Sequence, residues 1–121
     1  MATISRLTLS ASTDGRGIVV AANSSAGTLI HTGTTTAADY HEIWLWASNF
    51  NTSAETLTLE WGGTTEAGDH FKTLIEPNQT VLVAPGWMLK GNAGAALLVK
   101  AFSTTVNNVN ITGHYNLIDA A

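Results

Sequence analysis

Over almost the whole chain, short runs of alternating apolar and polar residues are interrupted, about every 8–12 positions, by Gly, Asn, Pro, Ser or Thr. A period of two fits a strand, because successive strand side chains point to opposite faces. The spacing predicts an all-β chain folded as a single antiparallel β-sandwich of about eight strands. Periodicity does not encode how the strands connect, so jelly-roll-like and immunoglobulin-like orders are both open. One segment departs from the pattern, His41-Glu42-Ile43-Trp44-Leu45-Trp46-Ala47. In an extended chain Ile43, Leu45 and Ala47 face one way and Trp44 and Trp46 the other. A strand with two apolar faces must be covered on both, which points to a module that presses its outer surface against other subunits.

Size and composition narrow the function classes. A chain of 121 residues is one domain's worth and buries roughly two thirds of its unfolded surface without metal or disulfide staples. Residues 1–10 read as an N-terminal arm or first strand, and residues 11–121 as the sandwich. The absence of cysteine removes disulfides, thiol catalysis and thiolate metal sites together. Charged residues make up only 12% of the chain, while threonine occurs 18 times, a composition suited to exposed β faces and wet interfaces. With a net charge of −4 and only five basic residues, no phosphate-tracking surface and hence no nucleic-acid partner is expected. The alternation of Met1 to Leu9 is unlike a targeting segment, and apolar runs such as Ala93 to Val99 are too short to span a bilayer, so no membrane partner is expected.

Strands are expected at Thr3–Leu9, Ile18–Ala22, Thr28–His31 at an edge, Tyr40–Phe50, Glu55–Trp61, His70–Ile75, Thr80–Ala84, Trp87–Lys90, Ala95–Phe102 and Val109–Ile118. Pro85-Gly86 reads as a turn. Within Glu55–Trp61, the residues Leu57, Leu59 and Trp61 belong to the core, and Thr56, Thr58 and Glu60 to a solvated face. Ala95–Phe102 is apolar on both faces, like the Trp44 segment. A strand of this kind is central and lies under a loop, or it meets a second subunit; two of them favour a homo-oligomer.

Chemistry is sparse. Asp39 and His41, two apart, are the only neighbouring acid and imidazole able to converge from a strand, whereas Asp69 and His70 diverge. His31 and His114 are isolated in sequence and read as solvated or hydrogen-bonded structural histidines. No Gly-x-Ser-x-Gly elbow occurs, and the glycine pairs bridge strands instead of preceding a helix. The expectation is a non-enzymatic protein with no catalytic residue, bound metal or cofactor. Four tryptophans allow one rival, a sugar-stacking platform. Trp61 continues the core face and Trp87 follows a turn where an aromatic plugs the end of a sandwich, leaving Trp44 and Trp46 as the only pair on one face. Their sequence neighbours Ile43, Leu45 and Ala47 offer nothing to grip hydroxyls.

From residue 27 onward the order of elements is distinctive: Gly-Thr-Leu-Ile-His-Thr at 27–32, Tyr40 to Asn49, Glu55 to Gly63, the turn in Leu74 to Leu82, Trp87-Met88-Leu89-Lys90-Gly91, and a closing Val109 to Tyr115. Over residues 27–118 it resembles the small β-sandwich virion proteins of tailed bacteriophages, most nearly those that decorate or cement the capsid. The resemblance rests on the order of strands and turns, with no short diagnostic motif. It implies a homotrimer on the outer capsid surface, made in the host cytoplasm, that holds major capsid protein subunits together. Trp44, Trp46, Leu98 and Phe102 are then the candidate trimer interface, and Ile4, Arg6 and Leu7 a candidate capsid-binding arm. Related sandwiches serve as tail or fibre accessories, so the alternative is such a domain or a carbohydrate-binding host-attachment domain whose partner is a glycan.

Overall fold

The structure is a computed structural model that describes residues 2–119; Met1 of the expected arm and the last two residues of the expected domain lie outside it. The described residues form nine strands and no helix: β1 (Thr3–Thr8), β2 (Ile18–Val19), β3 (Thr28–Thr32), β4 (Tyr40–Asn49), β5 (Glu55–Trp61), β6 (His70–Ile75), β7 (Thr80–Lys90), β8 (Leu98–Ser103) and β9 (Val109–Asp119). One sheet runs β1-β9-β4-β7, with β2 pairing further along β9; the other runs β3-β8-β5-β6. All pairings are antiparallel.

Strands β2 and β9, β3 and β8, β4 and β7, and β5 and β6 form four nested pairs. The chain is therefore one long hairpin wound into two sheets, which is the jelly-roll arrangement and excludes the immunoglobulin-like order. The alternation read from the sequence places Ile43, Leu45 and Ala47 of β4 and Ile111 of β9 against Leu57 and Leu59 of β5 and Val99 and Ala101 of β8, all buried in one core.

Two expectations are corrected. The segments Thr80–Ala84 and Trp87–Lys90 are one strand, and Pro85-Gly86 is not a turn. Ile43 pairs with Trp87 and Trp44 with Pro85, so Gly86 is an extra residue in a β-bulge with φ of 75°. Proline is tolerated there because β7 is an edge strand. Second, the outer face of β5 is solvated only at Thr56, whereas Thr58 and Glu60 are buried. The loop between β2 and β3 crosses this face and inserts hydrogen-bond donors from Ser25 and Gly27 at Glu60. β8 is central in its sheet, and Ser103 N–H at its end donates to Ala22 C=O of that loop, while Leu98, Lys100 and Phe102 on its outer face are half-buried.

Of the two readings of the N-terminal segment, arm or first strand, the second describes it: Thr3–Thr8 is the first strand of the sandwich. Along β1, Ile4 stands opposite Ile118, Arg6 opposite Asn116 and Leu7 opposite Tyr115. All six residues of β1 are nevertheless exposed, so the strand is held by backbone pairing to β9 on one side only.

Candidate functional site

The outer face of the first sheet brings together residues that are far apart in sequence. Register across β1, β9, β4 and β7 aligns Arg6, Asn116, Glu42 and Met88 in one row and Thr8, His114, Trp44 and Pro85 in the next, followed by Thr112, Trp46 and Leu82. Because side chains on one face of a sheet share this register, Trp44, Trp46 and His114 stand side by side. Their ring centroids are 6.0–6.4 Å apart and the ring planes lie within 35° of one another. All three are half-buried. The Trp44 ring rests on the Gly86 bulge so closely that a Cβ there would sit 2.9 Å from it.

Polar groups border the rings. One oxygen of Glu42, Oε1, accepts hydrogen bonds from Trp44 Nε1–H at 3.0 Å and from Asn116 Nδ2–H at 2.8 Å. These two donors hold the Glu42 carboxyl below its ordinary range, with the charges of His114 and Arg6 acting in the same direction. Burial, then the nearby Arg6 guanidinium, pushes the His114 imidazole below its usual value. The six residues Arg6, Glu42, Trp44, Trp46, His114 and Asn116 line a shallow depression of about 330 Å³. The arrangement offers ionised acceptor oxygens, amide and guanidinium donors and three closely spaced aromatic rings.

Two of the expected interface residues belong elsewhere. Leu98 and Phe102 lie on the outer face of the second sheet, where Phe102 pairs with Thr58 and its ring meets His70 edge-on. Trp44 and Trp46 lie on the opposite side of the sandwich, so the four residues do not form one patch. Reasoning from the sequence missed Glu42, His114 and Asn116 as companions of the tryptophans. Glu42 is two positions from Trp44 on the same strand face, a signal available in the sequence, whereas Asn116 is 74 residues from Glu42 and reaches the site only through the β4–β9 pairing.

The other histidines and tryptophans resolve into structural groups. His31, apparently isolated in sequence, lies fully buried, its Nε2 2.7 Å from Nδ1 of His41. Tyr115 packs on both rings at 4.3 Å. Among the described residues no three His, Asp or Glu side chains converge as a metal site. Asp69, in the turn before β6, accepts from Thr65 N–H while His70, the first residue of β6, turns to Glu60, so the two diverge. Trp61 and Trp87 meet edge-on at 5.4 Å at the end of the core, and with Phe71 and Met88 they line a second cleft of about 320 Å³. A third depression, lined mainly by residues 62–64 and 95–98, holds small and apolar residues with few polar side chains. Compared with protein-family models and with curated proteins, the chain matches none.

Proposed function

We propose that this chain is a structural virion protein of a tailed bacteriophage, a capsid decoration or cement protein. In this reading it binds the outer capsid surface as a homotrimer and stabilises contacts between major capsid protein subunits. The observation that supports it is where the sandwich leaves its large apolar side chains exposed. Within strands these are Ile4, Leu7, Val19, Leu29, Phe71, Leu74, Leu82 and Met88. All eight lie on β1, β2, β3, β6 and β7, the strands at sheet edges; the central strands β4, β5, β8 and β9 have none.

Edges are where a solitary sandwich places charge to prevent lateral pairing, and apolar edges fit a protein that is covered along them by neighbours. The edges are not equivalent. β7 carries Pro85 and two register shifts, at Ile43/Trp44 and Leu45/Trp46, which blunt strand addition there. β1 has neither proline nor glycine and is the edge best suited to add to a sheet of the capsid, which keeps Ile4, Arg6 and Leu7 as the capsid-contacting residues.

Mass by light scattering, followed by binding to capsids stripped of accessory proteins, tests the reading. A trimer that binds the shells saturably is the expected result. A monomer indifferent to capsids overturns it.

A further inference from the structure

Beyond the assembly role, with which it shares only Arg6 of its lining, we infer that the Trp44–Trp46–His114 surface binds a neutral glycan, with a pyranose ring stacked on the indoles. The two faces of a pyranose differ from its rim. The faces present C–H groups that pack on aromatic planes, while the hydroxyls around the rim need directional donors and acceptors. The outer face of the first sheet supplies both at one place: rings 6.0–6.4 Å apart as the floor, and Glu42, Asn116 and Arg6 along one side.

Glu42 is suited to the part of hydroxyl acceptor. Trp44 and Asn116 fix its carboxylate through Oε1, so Oε2 is held at a set position with no rotamer search left to lose on binding. Hydrogen bonds from hydroxyls to an ionised carboxylate are about twice as strong as neutral ones. Asn116 contributes an amide and Arg6 a guanidinium as donors. The depression of about 330 Å³ lies at the small end of ligand sites, roughly 300–1,000 Å³, and suits one or two sugar rings in place of a long buried ligand.

Other ligands of aromatic surfaces fit less well. A quaternary ammonium needs rings that surround it, whereas these three rings, whose planes differ by 17–35°, line one shallow depression, with the Arg6 guanidinium adding positive charge beside it. Stacked nucleobases bring phosphates, which Glu42 and a net charge of −4 oppose. The same net charge disfavours sulfated or polysialylated chains, leaving a neutral glycan.

The test is titration of the full chain with a panel of neutral oligosaccharides (gluco-, galacto-, manno- and N-acetylglucosamine-based), followed by tryptophan fluorescence, with sulfated and sialylated counterparts in parallel. Saturable binding of at least one neutral member is expected. Trp46→Ala and, separately, Glu42→Gln weaken it at least about tenfold while circular dichroism stays unchanged; Glu42→Gln keeps the acceptor for Trp44 and so guards against misreading a folding defect. Phe71, on β6 of the other sheet and outside the depression, is the control, and Phe71→Ala leaves the affinity as it was. The inference is overturned if no neutral member binds with a Kd below about 10 mM, if only the acidic members bind, or if the fluorescence change tracks protein concentration and marks the face as a contact between copies of the chain. Failure to bind capsids would not touch this result, and failure to bind sugars would leave the capsid reading standing.

Discussion

His31 Nε2 lies 2.7 Å from His41 Nδ1 in the interior of the sandwich. The direction of this bond is set from the other end, where Ser10 N–H donates to His31 Nδ1. With Nδ1 accepting, the proton of neutral His31 is on Nε2, and it donates to His41. Ser10 Oγ in turn accepts from Thr32 N–H. The segment after β1 is thus tied to β3 by the His31 imidazole and the Ser10 hydroxyl, the His31–His41 bond carries the connection on to β4, and both rings must stay neutral for the chain of bonds to hold.

Acid should weaken the fold in two stages. Burial first, and then the charge of His41, pushes the His31 pKa down to about 4, and burial also lowers that of His41 against a smaller opposing effect of Asp39. The unfolded chain, with His31 near 6.5, binds the proton more readily, so stability is full above that value and is lost as the pH falls towards 4. At 1.36 kcal/mol per pKa unit, the loss from His31 is on the order of 3 kcal/mol. Below this window, Glu42, Glu55 and Glu60, whose folded pKa values lie under the usual carboxylate range, are protonated and their contributions are lost too. Urea denaturation at about pH 7, 5.5 and 4.5 should show a falling midpoint. His31→Gln should flatten the upper part of that slope.

Gly86→Ala should destabilise the protein by roughly 1–3 kcal/mol. The residue sits at φ of 75°, and its new Cβ would meet the Trp44 ring at 2.9–3.3 Å. Chemical denaturation measures the loss, and a shifted tryptophan emission spectrum would report that Trp44 has been displaced.

Glu60→Ala should be worse than Glu60→Gln. The carboxylate is fully buried, accepting from Ser25 Oγ–H and Gly27 N–H, with His70 Nε2 at 3.1 Å. Burial raises its pKa, but these hydrogen bonds outweigh that and hold it below the ordinary value. Alanine leaves the Gly27 N–H and its neighbours without an acceptor, a loss of about 1–3 kcal/mol or more, whereas glutamine keeps one. Hydrogen exchange should show faster exchange across residues 22–27 in the alanine variant.

Deleting residues 1–8 should leave a cooperatively folded chain with a lower denaturation midpoint, because among the described residues the first buried one is Leu9. The truncated chain should lose capsid binding while retaining its circular dichroism spectrum. Unfolding of the truncated chain would mean instead that β1 is needed to close β9.

The alternation of apolar and polar residues determined by itself that this chain is a β-sandwich, because burying one face of each strand is a local requirement that every residue obeys with a period of two. It also set the inward side of β4 and β5, since Ile43, Leu45, Leu57 and Leu59 have no other way to leave water. Tertiary structure alone decided three things. It chose the jelly-roll order, which depends on pairing partners such as β2 with β9, more than 80 residues apart. It covered Glu60, a residue that reads as solvent-facing until the loop before β3 arrives with Ser25 and Gly27. It set Asn116, His114 and Arg6 beside Trp44 and Glu42. Periodicity records which way a side chain points but not which strand lies next to it, and the candidate site is made of neighbours across strands.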